Sequence, residues 1–86
     1  MDDRCLELIA EYSIQNKLSF EQLLIKLQPR GRKGLLVLKE SLLALGICEE
    51  HHANALDARG DLFDGIGHLD LNYFKYKIYT QYRNRL

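Results

Sequence analysis

The sequence has no tryptophan, one proline and two cysteines in its 86 residues. Two cysteines are too few for the disulfide frameworks that hold small secreted domains together. The longest apolar runs are four residues, whereas a membrane-spanning helix needs about 20. The start of the chain also lacks the basic and apolar regions of a signal peptide. We therefore expect a soluble, cytoplasmic protein with reduced thiols that does not bind membranes.

Apolar residues make up 47% of the chain, which is ordinary for a globular protein and excludes a disordered composition. The length predicts one domain over residues 1–86, near the small end of what folds alone. A core of this size leaves little stability to spare. We therefore expect self-association or a tight complex with a partner protein.

Acidic and basic residues number 12 each, but they fall in four blocks of alternating sign. The sums are −3 over residues 1–16, +5 over 17–39, −6 over 40–70 and +4 over 71–86. Such blocks either cancel one another inside the fold or leave charged faces that attract a partner. The sequence alone leaves both outcomes open.

Helical spacing of the apolar residues predicts a compact all-α bundle of about five short helices. Ser19 and Gln22 have the spacing of a capping box, which starts the second helix, and Pro29 ends it. The third helix is apolar on nearly every side, which predicts a central position. The predicted helices cover residues 3–16, 20–28, 33–45, 49–58 and 71–85, and the predicted core spine is Leu35, Leu38, Leu42 and Leu45.

The last segment, residues 71–85, is compatible with two secondary structures. As a helix it places Leu71, Phe74, Ile78 and Tyr82 on one face. As a strand it alternates apolar and polar residues of types that favour strands. We favour the helix, because the sequence holds no second convincing strand to pair with it.

A basic hexapeptide, residues 28–33, separates the second and third helices. Its Pro-Arg-Gly-Arg core, Pro29 to Arg32, resembles an AT-hook, with Lys33 in place of the second proline of that family. The resemblance implies an extended backbone bound in the minor groove of A·T-rich DNA. Alternatively, Arg30, Arg32 and Lys33 form an anion site at a helix start, or a solvated turn paired with the acidic block.

The C-terminal segment carries tyrosines interleaved with cations. On a helix, Tyr73, Tyr76, Lys77, Thr80 and Arg83 point away from the predicted core face. Tyrosine and arginine are enriched in protein interfaces, and stacked rings beside cations also suit single-stranded nucleic acid. The alternative is that the rings pack half-buried while the cations reach into solvent.

Catalytic and metal-binding patterns are weak. Cys48, His51, His52 and His68 offer metal-binding atoms, but no second ligand pair accompanies them, so we expect surface histidines beside a small buried thiol and no metal. No nucleophile has an activating base nearby in the sequence. We therefore expect no enzyme activity, no cofactor and no small-molecule substrate.

The resulting expectation is a small non-enzymatic regulatory or interaction module. It would bind a partner protein through charged helical surfaces and self-associate. The alternative is a nucleic-acid-binding regulator that uses both basic regions together. The candidate contact residues are Arg30, Arg32, Lys33, Tyr73, Tyr76, Lys77 and Arg83.

Overall fold

The computed structural model describes residues 4–84 and contains five α-helices in that range. Between them lie short 3₁₀ turns at Pro29–Gly31, Ala55–Ala58 and Gly60–Leu62. The only strand-like pairing in the described chain is an isolated bridge between Phe63 and Leu69. The all-α prediction is therefore confirmed. The helices are α1 (Arg4–Gln15), α2 (Phe20–Leu27), α3 (Leu35–Ala44), α4 (Glu50–Asn54) and α5 (Leu71–Asn84).

The C-terminal segment is helical rather than a strand. The Asp70 carboxylate accepts a hydrogen bond from the Tyr73 N–H at 3.1 Å, which satisfies one of the free donors at the start of α5. Phe74 and Ile78 are fully buried, as their helical spacing predicts. The predicted helix ends, residue 3 at one end and residue 85 at the other, lie outside the described residues.

The start of α2 forms the capping box that the sequence predicts. The Gln22 N–H donates to the Ser19 hydroxyl at 3.2 Å, and the Ser19 N–H donates to the Gln22 side-chain oxygen at 2.9 Å. Two donors that the first helical turn leaves free are thereby satisfied. The helix ends at Leu27, two residues before the proline.

The central position predicted for α3 is wrong. Leu38 and Leu42 are fully buried, but Leu36, Leu43 and Leu45 are 68%, 43% and 39% exposed. Leu45 lies beyond the last residue of α3, where Gly46 turns the chain with a left-handed φ of 69°. The predicted core spine therefore ends at Leu42.

The loop before α5 is held by its own carboxylates. Asp64 accepts hydrogen bonds from the N–H groups of Ile66 and His68, each at 2.9 Å, and these bonds lower the pKa of Asp64. The Arg59 guanidinium is buried and binds both oxygens of Asp61 at 3.1 Å. Both acids of the loop thus have partners inside the chain.

Helix α5 packs against α1 and faces α2 across a wider gap. The Tyr82 hydroxyl donates to the buried Ser13 hydroxyl at 2.7 Å, which joins α5 to α1. Phe20 reaches from the start of α2 to Phe74, with 5.9 Å between the ring centroids. Within residues 4–84, no helix has the length and apolar character needed to cross a bilayer.

The two cysteines lie together in the core. Cys5 of α1 and Cys48, just before α4, are both buried, and their thiols share a hydrogen bond. Burial raises the pKa of Cys48, and the contact with Cys5 offsets this only in part. The reactive thiolate form is therefore scarcer than in an exposed cysteine.

We expect both cysteines to react with iodoacetamide at least about tenfold more slowly than an exposed thiol at about pH 8. An Asn72→Cys variant supplies that exposed thiol in the same molecule, because Asn72 lies on the solvent side of α5. Mass spectrometry of timed samples gives the three rates. Equal labelling of all three thiols in the folded protein would contradict the buried placement.

Candidate protein-binding groove

The basic hexapeptide forms a closed turn. The buried Gln28 side chain accepts a hydrogen bond from the Gly34 N–H at 3.1 Å and donates to the Gly34 carbonyl at 3.5 Å. Between them, Arg30 and Gly31 both adopt left-handed backbone angles, with φ of 61° and 71°. This backbone differs from the extended one that the AT-hook resemblance implies.

Within residues 4–84, the cations of this turn have no side-chain partner. Arg30, Arg32 and Lys33 are exposed, and none of them forms an ion pair or side-chain hydrogen bond with the residues described. The acidic block instead bonds elsewhere, with Asp57 accepting from Lys39 at 3.2 Å. The turn therefore keeps its positive charge at the surface, where it can attract an anionic group.

The contact residues predicted on α5 divide between two environments. Tyr76 is 58% exposed, and Arg83 is exposed with its guanidinium 3.5 Å from the Thr80 hydroxyl. Tyr73 is half-buried and hydrogen-bonded to Asp61, a contact that raises the pKa of Tyr73. The Lys77 ammonium lies 5.8 Å from the centroid of the Tyr73 ring. Tyr73 is thus engaged within the fold, whereas Tyr76 faces solvent.

An open groove lies between α5 and the segments that face it, and its larger pocket lies where the end of α1, residues 17–19 and the start of α2 meet the C-terminal end of α5. This pocket encloses about 850 Å³ and opens to solvent along one side. By surface area its lining is mostly apolar, and it includes two side chains that are about half exposed, Ile14 and Tyr79. The other lining residues are Glu11, Ser13, Gln15, Lys17, Leu18, Ser19, Phe20, Glu21 and Tyr82.

The smaller pocket, of about 180 Å³, lies at the opposite end of α5. Leu71 of α5 and Ile25 of α2 supply apolar walls, and Ile25 is 69% exposed. Arg30 and Gly31 of the basic turn close the end of this pocket. Leu24 and Gln28, whose side-chain hydrogen bonds close the turn, complete the lining.

The two pockets belong to one surface, which we call the α2/α5 groove. The start of α2 lies beside Tyr79, with 6.3 Å between the Phe20 and Tyr79 centroids, and its end lies beside Leu71. The helices are therefore antiparallel. Between the pockets, the Lys75 ammonium sits 5.6 Å from the Phe20 centroid and 5.7 Å from that of Tyr79. These distances are typical of cation–π contacts.

Cations lie at three points along the α2/α5 groove. Lys17 lines the larger pocket, Lys75 lies between the pockets and Arg30 lines the smaller one. Among the described residues no acidic side chain pairs with any of the three. Glu11 and Glu21 lie only at the larger pocket. The larger pocket thus holds two acids and one lysine, and the net positive charge of the groove lies at Lys75 and at the smaller pocket.

Sequence reasoning finds part of this groove. It singles out Arg30, but it leaves out Tyr79 and Ile14, because the sequence does not show which outward faces of two helices come together. The same geometry places Tyr76 outside the groove, since residues 71, 75 and 79 form one ridge of α5 and residue 76 projects about 100° from residue 75. Exposed apolar side chains at the ends of amphipathic helices are the only signal that the sequence offers.

Comparison of the chain with protein-family models, with curated proteins and with solved structures gives no match.

Proposed function

We propose that this chain is a non-enzymatic interaction module that binds an acidic, amphipathic segment of a partner protein in the α2/α5 groove. The observation that carries the proposal is a groove with a partly apolar pocket at each end and an unpaired cation at each pocket. Apolar side chains of the segment would enter the two pockets as anchors, and its carboxylates would contact Lys17, Lys75 and Arg30. Recognition of a helix in a groove by spaced apolar anchors is a common mode of peptide binding.

The dimensions of the groove suit a short helical segment. Helix α2 has eight residues, so its length is about 12 Å. Two anchor residues seven positions apart on a helix are separated by about 10 Å. This separation is close to the length of α2, which has one pocket near each end. The larger pocket has room for an aromatic side chain of the partner, and the smaller pocket suits a leucine or isoleucine.

The aromatic wall supplies most of the expected affinity. Tyr79 is 42% exposed and Ile14 is 49% exposed in the free chain, so covering them removes apolar area from water. Tyrosine contributes large contact area at low entropic cost. The cations would chiefly increase the association rate and select against basic segments.

The proposal is tested by selecting binders from a displayed library of random peptides about 12 residues long. We expect the enriched peptides to carry two apolar anchors about seven residues apart and a net negative charge. Their affinity should fall at least about tenfold for Tyr79→Ser, since a buried aromatic anchor is worth roughly 2 kcal/mol. Amide shifts in NMR spectra should map to Ile14, Ile25 and Leu71.

Tyr76→Ser is the matched control, because Tyr76 is an exposed tyrosine of the same helix that lies outside the groove. It should bind the selected peptides as well as the unchanged protein does. Failure to enrich any peptide would overturn the proposal. So would peptides that bind both variants equally, or enriched peptides with net positive charge.

A nucleic-acid-binding function is the second candidate. It is favoured by the three cations of the basic turn that have no partner among the described residues, Arg30, Arg32 and Lys33. It predicts binding to mixed-sequence DNA or RNA that weakens steeply with salt, as phosphate counterions are released. Changing the three cations to glutamate should then abolish binding. Binding with these properties, together with no selected peptide, would replace the first proposal with the second.

Self-association stays a prediction, and the outward face of α3 is the surface that favours it. Leu36 and Leu43 are exposed two turns apart on this helix, beyond which Leu45 is also exposed. Light-scattering mass measured on the samples used for binding tests it directly.

A further inference from the structure

Three potential metal ligands converge where the chain enters α4. Glu49 precedes this helix, and His51 and His52 are consecutive residues within it. One nitrogen of each histidine and one carboxylate oxygen of Glu49 all lie within 4.8 Å of one another. The Nδ1 atom of His51 is 3.4 Å from the Glu49 carboxylate. An ion about 2.0–2.2 Å from each donor would need only a small side-chain movement to bring the three together.

The two histidine rings are closer than their positions in the helix alone require. Consecutive helical residues point about 100° apart and do not normally face each other. Here the ring centroids of His51 and His52 are 3.9 Å apart, with 42° between the ring planes. The side-chain rotamers therefore bring both imidazoles to the same side as Glu49.

A second observation is independent of this convergence. The Nδ1 atom of His52 is buried and has no hydrogen-bond partner, the only such side-chain atom found among the residues described. Buried polar atoms nearly always have a partner, and an exception calls for an explanation such as an ion or a water molecule. The imidazole of His52 therefore has a polar atom that the described residues leave without a partner, in the residue that also supplies one donor of the cluster.

We propose that Glu49, His51 and His52 bind a divalent transition-metal ion of the Zn²⁺ type. Imidazole nitrogens together with a carboxylate suit zinc, copper and nickel, whereas calcium and magnesium take oxygen ligands. Three protein ligands leave a fourth position of the tetrahedron for water or for a group from a partner. The ion would fix the start of α4 to the segment that precedes it.

The ligand set differs from the one considered in the sequence. Cys48 is buried with its thiol directed to Cys5, and His68 lies in the loop before α5, 3.9 Å from Asp64. Neither belongs to the cluster. Glu49 takes their place as the third donor.

The test is calorimetric titration of chelator-treated protein with Zn²⁺ alone. We expect one saturable equivalent, and a rise in melting temperature with zinc because the ion binds only the folded arrangement. His51→Ala and His52→Ala should each weaken zinc binding at least about tenfold, as each removes a ligand. Absorption of Co²⁺ in place of zinc should report nitrogen ligation in the unchanged protein and not in the two variants.

His68→Ala and Cys48→Ser are the controls, since both remove a potential metal ligand outside the cluster. Each should bind zinc as tightly as the unchanged protein does, with circular dichroism confirming the fold of all four variants. No saturable binding to the unchanged protein would overturn the proposal. Unchanged zinc affinity after the loss of either His51 or His52, or affinity that depends on His68 or Cys48, would also overturn it.

Discussion

Leu42→Asp is expected to leave the chain unfolded at room temperature. Leu42 is fully buried in α3, in contact with the core that the five helices share. The substitution removes apolar contacts, whose loss costs about 2–5 kcal/mol for a leucine truncated to alanine. It also places a carboxylate in the apolar core, which adds a further desolvation cost. The total is comparable with the roughly 5–15 kcal/mol that stabilises a typical domain.

Circular dichroism measures this outcome directly, as loss of the helical signal and of a cooperative melt. Leu36→Asp is the matched control, because Leu36 lies in the same helix and is 68% exposed. Its melt should stay close to that of the unchanged protein, as surface substitutions usually cost within about 0.5 kcal/mol. A cooperative melt of Leu42→Asp at an unchanged temperature would contradict the placement of α3.

Phe74→Ala is expected to lower the free energy of unfolding by about 3–5 kcal/mol, the usual range for a phenylalanine truncated in a core. Phe74 is fully buried and its ring packs at 5.9 Å from that of Phe20. The lost ring leaves a cavity beneath the α2/α5 groove. For a domain of this size the melting temperature should fall by at least about 12 °C.

Tyr76→Ala is the control for this second substitution, because Tyr76 is an aromatic residue of α5 on the solvent side. Chemical denaturation of both variants gives the two free energies. Equal losses for Phe74→Ala and Tyr76→Ala would mean that α5 presents a different face to the core. A selective loss at Phe74 would support the packing of α5 on which the groove depends.

The same substitutions separate stability from function. Tyr79→Ser and Tyr76→Ser both change exposed tyrosines, so we expect both to melt near the unchanged temperature. A difference between them in peptide binding then reports the groove and not the fold. The zinc titration is independent of both, because α4 contributes none of the residues that line the two pockets.

The helical ends illustrate how well local chemistry predicts this fold. Ser19 and Gln22 cap α2 as expected, because a capping box is made by residues three positions apart. The helical assignment of residues 71–84 also held, since Phe74 and Ile78 recur at helical spacing and both are buried. These features depend on neighbours in the chain, which a sequence displays completely.

The wrong prediction of a central position for α3 has a physical cause. A helix with leucines on every side satisfies the requirements of a central helix, yet Leu36 and Leu43 face solvent. Helical spacing identifies the apolar residues of a helix. It does not show how many other helices pack against that helix and bury them. In an 86-residue chain there are too few other elements to enclose α3 completely.

The sequence by itself determined the helices, the caps and the buried stripe of α5, because each follows from side chains a few residues apart. Only the tertiary structure decided that α2 runs antiparallel to α5 and that no acid among residues 4–84 pairs with the cations of residues 30–33. It also brought Ile14, Phe20 and Tyr79 into one groove. The physical reason is that packing joins residues distant along the chain, and the faces that meet are chosen by the shape of the whole core.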